Sequence, residues 1–108
     1  MKSQRIFVAG HTGMVGQSIS KKLRANITPD QQIITKTRQQ LDLLNQQEVD
    51  IFFKTNRPTH VYLAAAKVGG ILANHQAPAE FLYENLMIQA NIIHAAFKHG
   101  TTRLLALG

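Results

Sequence analysis

The sequence predicts an α/β fold built on a parallel sheet, and three observations carry that prediction. Short apolar runs alternate with amphipathic helical stretches in the order βαβαβαβ, the pattern of strands joined by helical crossovers. The first run, Ile6-Phe7-Val8-Ala9, breaks directly into Gly10-His11-Thr12-Gly13-Met14-Val15-Gly16 and then into a helix. A later run, Val61-Tyr62-Leu63-Ala64, is continuously apolar, as strands buried on both faces are. At 108 residues and 44% hydrophobic content, the chain is one domain at most and long enough to bury a core.

The elements follow in order. Ile6 to Ala9 is the first strand, and the first helix runs from Met14 to Ala25, with Val15, Ile19 and Leu23 on one face. Thr28-Pro29-Asp30 is a turn, and Gln32 to Thr37 is the second strand. Asn45 with Glu48 three residues on resembles a capping box, opening a helix that turns Val49, Phe52 and Phe53 inward and stops at Pro58. His60 to Ala64 is the third strand. A loop containing Lys67-Val68-Gly69-Gly70 leads to Pro78, which suits a first helical position. The longest helix then spans Ala79 to His99 and ends at Gly100. Leu82, Leu86, Ile93 and Phe97 are expected to form its core-facing stripe, widened by Ile88 and Ile92. Arg103 to Leu107 is the fourth strand.

Together these elements predict a doubly wound sheet of Rossmann type, truncated after the fourth strand, in the order 3-2-1-4 with an apolar edge on strand four. Residues 1–108 are expected to be part of such a domain, with the second half of the sheet and a substrate domain absent.

Composition narrows the function. There is no cysteine, hence no disulfide framework and no thiolate metal site. The longest apolar stretch, Val61 to Ala66, is cut by Lys67, far short of the roughly 18 residues a membrane span needs. Met1 to Arg5 lead straight into the first strand without room for a signal peptide, so a cytoplasmic protein is expected. The net charge of +6 is scattered, only Lys21-Lys22-Arg24 is locally dense, and aromatics are few, which argues against a nucleic-acid partner. His11, His60, His75, His94 and His99 lack metal-ligand spacing and are expected in loops, at strand ends and on helix surfaces. Asp42, Asp50, Glu80 and Glu84 stand as single or helix-surface carboxylates.

The glycine segment has a specific mechanical reading. Gly10 permits a tight turn, Gly13 lets backbone approach a pyrophosphate, and Gly16 allows the helix to pack closely on the sheet. The helix start then presents N–H groups and about half a positive charge to the phosphates. A P-loop is excluded, because five residues separate Gly10 from Gly16 and Gln17 stands where lysine is required. His11 and Thr12 lie inside the loop. The second strand ends Thr35-Lys36-Thr37-Arg38, with no acid between Asp30 and Asp42. A forked guanidinium there suits the 2′-phosphate of NADP(H) rather than the bare ribose of NAD.

With Lys36-Thr37-Arg38 and the glycine loop in view, together with Leu41-Asp42-Leu43-Leu44, Leu63-Ala64-Ala65-Ala66-Lys67-Val68-Gly69-Gly70-Ile71, Asn74 and the run Asn85 to His94, the chain resembles the GDP-L-fucose synthase family. These are extended short-chain dehydrogenase/reductases, and the resemblance covers essentially the whole chain. It implies an NADPH-dependent conversion of GDP-4-keto-6-deoxy-D-mannose to GDP-L-fucose, by epimerisation at C3 and C5 and hydride delivery to the C4 ketone. It further implies that Gly10, Gly13, Met14, Val15 and Gly16 meet the pyrophosphate, and that Arg38 meets the 2′-phosphate. By the same resemblance Asp42 and Leu43 lie near the adenine, and Ala64, Ala65 and Ala66 line the cofactor. Thr12 departs from the arginine common in the family, and Asp42 from its asparagine.

The family's catalytic Ser, Cys and Tyr-x-x-x-Lys find no match here. Tyr62 has Ala66 four residues on, and Tyr83 has Met87. No catalytic residue is therefore assigned, and the chain is expected to be inactive alone. The resemblance also implies a homodimer through helix 79–99, with Tyr83, Leu86, Met87 and Ala90 on its outer face. Two alternatives stand beside this one: a non-catalytic NADP-binding or protein-interaction module, and half of a sibling nucleotide-sugar epimerase or dehydratase.

Overall fold

A computed structural model describes residues 3–64 and 79–106. Its elements are β1 (Gln4–Ala9), α1 (Met14–Ala25), β2 (Gln31–Ile34), α2 (Gln46–Asn56), β3 (His60–Leu63), α3 (Ala79–Lys98) and β4 (Arg103–Ala106). The expected boundaries differ from these by a residue or two, except at β2, where the ladder stops at Ile34 rather than Thr37. Leu107, Pro78 and the Lys67-Val68-Gly69-Gly70 loop lie outside the described residues.

All four strands are parallel, in the order β2-β1-β3-β4. This corrects the expected 3-2-1-4, in which β2 would be an inner strand. Burial explains the observed order. In β1, Ile6, Phe7, Val8 and Ala9 are all buried, and in β3 Val61 and Leu63 are, so these strands take the centre. Gln31 and Gln32 at the start of β2 are polar and incompletely buried, which suits an edge. β4 forms the opposite edge, with Leu105 half exposed. The step from β1 to β2 runs one way across the sheet and those from β2 to β3 and β3 to β4 run the other. Right-handed crossovers therefore put α1 on one face and α2 with α3 on the other.

The core sits on the α2/α3 face. Phe7, Val49, Phe52, Phe53, Val61, Leu63, Ile92, Ala95 and Ala96 pack as one cluster. Phe7 meets Phe52 at a ring-centroid distance of 4.6 Å and Phe53 edge-on at 5.9 Å. The α1 face is thinner. Gly16 is the buried residue of α1, while Val15, Ile19 and Leu23 are only half-buried.

The stripe expected on α3 is largely turned outward. Leu86, Ile93 and Phe97 are exposed, Phe97 at 89%, while Asn85, Asn91, Ile92, Ala95 and Ala96 face the core. Two apolar rows run along this helix, and small alanines rather than the bulkier residues let it approach α2 closely. Local ends are otherwise as expected. Asn45 Oδ1 accepts from the Glu48 N–H at 3.1 Å, although the Glu48 carboxylate turns to the Asp42 N–H instead of back to Asn45. α2 closes with Arg57 in the left-handed region before Pro58, and α3 ends as the Thr101 N–H reaches the Ala96 carbonyl past Gly100.

Candidate functional site

β1 and β3 lie side by side, yet the chain leaves them for opposite edges of the sheet. Crevices at the carboxyl ends of such strands are where open α/β sheets bind ligands. The Ala64 N–H donates to the Ala9 carbonyl at 2.9 Å and so holds the two strand ends together. Beyond them opens a cavity of about 500 Å³. It is lined by Gly10, His11, Thr12 and Gly13 after β1, by Lys36, Arg38, Leu41, Asp42, Leu43 and Leu44 after β2, by Ala64 after β3, and by Glu84 and Ile88 of α3.

The glycine loop is shaped by two hard constraints. Gly10 has φ +83°, a conformation costly for any residue with a Cβ, and the Gly13 N–H closes the turn onto its carbonyl at 3.2 Å. A Cβ on Gly16 would overlap the Gly10 carbonyl and lie 2.9 Å from His11 Cα. The close approach that Gly16 permits is thus helix to loop, rather than helix to sheet. Gln17 Nε2 donates to the Thr12 carbonyl at 2.8 Å and pins the loop onto the first turn of α1.

The start of α1 is electrostatically bare. Its N-cap is Gly13, no side chain caps it, and its first turn holds no acid. The first N–H groups of a helix have no intrahelical acceptor, and here they open beside the cavity with the positive end of the helix dipole. Lys36 and Arg38 add two cations on the β2 side. Arg38 makes no hydrogen bond or ion pair among the described residues. Its backbone is held in a turn in which the Gln40 and Leu41 N–H groups both donate to the Thr37 carbonyl. The Asp42 carboxylate accepts from the Leu44 N–H at 3.0 Å, so it shapes its own loop.

Of the residues expected at the site, Gly10, His11, Thr12, Gly13, Arg38, Asp42, Leu43 and Ala64 are brought together on one cavity. Met14, Val15 and Gly16 stand behind it on α1 and do not line it, and Met14 is 86% exposed. Ala65 and Ala66 lie outside the described residues. Sequence reasoning missed Lys36, Leu41, Leu44, Glu84 and Ile88 as wall residues. Lys36, two positions before Arg38, was within reach of the strand-end argument. Glu84 and Ile88, one helical turn apart, depend on how α3 docks and carry no local signal.

Away from the cavity, His99 and Asp50 depart from the expected surface placement. His99 is 9% exposed and its Nε2 lies 2.9 Å from Asp50 Oδ1, with Lys98 Nζ at 3.4 Å from the same oxygen. The hydrogen bond with His99 holds the Asp50 carboxyl below its ordinary value; burial opposes it, and the Lys98 charge adds a smaller lowering. This cluster ties α2 to the end of α3. Among the described residues no three His, Asp or Glu side chains gather as a metal site, and no helix is long and apolar enough to cross a membrane.

Comparison with known proteins agrees with this geometry. The NAD dependent epimerase/dehydratase family matches residues 6–108. GDP-L-fucose synthase of Escherichia coli is 49% identical over the whole chain, and the putative GDP-L-fucose synthase 2 of Arabidopsis thaliana is 50% identical over 99% of it. The chain spans 33% and 32% of their lengths. Among solved structures, the NADP-bound GDP-mannoheptose C4 reductase from Campylobacter jejuni superposes with a TM-score of 0.83 at 39% identity, over all of this chain and 33% of that one.

Proposed function

Since the chain belongs to the NAD dependent epimerase/dehydratase family, we propose that its cavity holds NADP(H) and that it forms the cofactor-binding N-terminal portion of a GDP-L-fucose synthase-like enzyme. The observation that carries this reading is the uncapped start of α1, opening beside a cavity whose wall also bears Lys36 and Arg38. The residues fit the cofactor. The glycine loop Gly10 to Gly13 and the uncapped start of α1 behind it offer a diphosphate close backbone and the positive end of a helix dipole, Lys36 and Arg38 offer charge to a 2′-phosphate, and Leu41, Leu43, Leu44 and Ile88 offer apolar walls to an adenine. When bound, NADPH supplies the hydride for reduction of a ketone.

In this reading the described residues bind and orient, and none is assigned a catalytic proton transfer. The substrate is a GDP-sugar, GDP-4-keto-6-deoxy-D-mannose. Residues that carry the chemistry and hold that sugar belong to the two thirds of the relatives' length that this chain does not span. A cytoplasmic setting goes with the reading, and the cysteine-free sequence is compatible with it. The test is calorimetric titration with NADPH and NADH. A charge-assisted bond from Arg38 to the 2′-phosphate, at about 1.5–3 kcal/mol, makes Arg38→Ala weaken NADPH by roughly 10- to 150-fold and NADH little. Equal losses for the two dinucleotides would overturn the assignment of Arg38.

A homodimer through α3 is a second proposal, favoured by one observation. Tyr83, Leu86, Ala90, Ile93 and Phe97 are all exposed and recur at spacings of three and four along one line of the helix. That is the seam by which helices pack side by side. Sedimentation equilibrium on Phe97→Asp is expected to show monomer where the unsubstituted chain shows dimer, with the thermal midpoint little changed.

A further inference from the structure

The segment 35–45 lies outside the sheet and supplies Arg38, Leu41, Asp42, Leu43 and Leu44 to the cavity wall. Most of its hydrogen bonds are internal. Gln40 and Leu41 return to Thr37, while Leu44 and Asn45 return to Asp42. Such turns fix the segment's own shape but not its distance from the rest of the cavity. Leu41, 5% exposed, anchors one point by burial. The Asp42 N–H holds a second point to the Glu48 carboxylate of α2 at 3.4 Å, and a third is held by Asn91 of α3, whose Nδ2 donates to the Leu43 carbonyl at 3.0 Å across 48 residues of sequence.

Asn91 is itself 6% exposed. A carboxamide so placed is costly unless its polar atoms are paired, and the pairing makes the contact directional in a way an apolar neighbour is not. The helix that carries it also carries Ile88, one turn earlier, and Ile88 lines the same cavity as Leu43. One helix thus supplies both a wall residue of the cavity and the bond that ties the 41–44 wall segment to that helix.

We propose that Asn91 is a positioning residue for the adenosine end of the dinucleotide, acting through the Leu43 carbonyl to set the width of the slot between residues 41–44 and α3. This rests on the reading of the cavity as an NADP(H) site. Asn91 touches no cofactor atom in this account. Its contribution is a loop already held at the spacing an adenine needs, so that binding does not have to order it.

The test uses the full chain and Asn91→Leu, which keeps the branched shape and heavy-atom count of the side chain and removes the donor. A neutral hydrogen bond is worth about fivefold in an equilibrium constant. Dissociation constants for NADPH and for adenosine 2′,5′-bisphosphate are therefore expected to rise together by about fivefold. Amide exchange at Leu44 and Asn45 is expected to accelerate by a similar factor, with β1 and β3 unchanged and the thermal midpoint lowered slightly. A purely structural role would move the midpoint and leave affinity and local exchange alone, and that result overturns the inference. If the unsubstituted chain binds neither ligand, the cofactor reading falls and this inference with it. If it binds both and the variant binds them equally well, this inference alone falls.

Discussion

The two faces of the sheet are built to different ends. On the α2/α3 face the side chains interlock, Phe7, Phe52 and Phe53 pack ring to ring, and both helices are closed by the chain's own groups: Asn45 at the start of α2, Arg57 at its end, and Thr101 at the end of α3. On the other face α1 is half-buried, and its start is left without a capping side chain or an acid. A helix end satisfied by its own protein contributes to stability. One left open keeps its donors for something else. The contrast teaches that the protein closes with its own groups the helix ends around its main core, and leaves open the one helix start that lies beside the cavity.

The strongest way to break that contrast is to probe packing on each face. Phe53 is fully buried, and Phe53→Ala is expected to cost about 3–5 kcal/mol in denaturant unfolding. Ile19→Ala on half-buried α1 is expected to cost about 1 kcal/mol, and comparable losses would mean that the faces are not so different. Next comes Gly16→Ala, whose methyl group overlaps the Gly10 carbonyl. Overpacking there is expected to cost about 1–3 kcal/mol and to remove measurable NADPH binding in calorimetry.

The helix starts should then respond with opposite signs. Asn45→Ala removes the α2 cap and is expected to cost about 1 kcal/mol without changing cofactor affinity. Gly13→Asp gives α1 the cap it lacks, at a position where a Cβ meets only the Gly10 carbonyl oxygen at 3.6 Å. It is expected to raise the thermal midpoint slightly and to weaken NADPH, because a carboxylate then occupies the donors a phosphate would use.

The smallest effect is at Asp50. Its carboxyl is held below the ordinary value by His99, so its contribution is present above the usual carboxylate range and is lost as pH falls through the lowered value. Melting curves for the unsubstituted chain and Asp50→Asn are expected to differ most near neutrality and to converge in acid. Because Asp50 is one-third exposed, solvent screening keeps the difference small.

Much of this was legible in the sequence because it is local. The strand-to-glycine-to-helix transition at Ala9–Gly16, the Asn45 cap, the stop before Pro58 and the end at Gly100 each depend on a few neighbouring residues and their allowed dihedral angles. The family resemblance was readable for the same reason, since short segments carry it, and the grouping of Asp42, Leu43 and Ala64 with the glycine loop was expected only through that resemblance.

What the tertiary structure alone decided is pairing between distant segments. The polar Gln31 and Gln32 of β2 suit an edge but do not by themselves fix it; the order β2-β1-β3-β4 follows from which strands bury both faces once helices cover them. Likewise α3 carries apolar residues on more than one line. Whether Ile92, Ala95 and Ala96 or Leu86, Ile93 and Phe97 turn inward was settled by the space that Phe52 and Phe53 of α2 leave, and with it came the placing of Glu84, Ile88 and Asn91 beside the cavity. Local dihedral and capping preferences are set by nearest neighbours, whereas the rotation of a helix about its axis is a property of the surface it lands on.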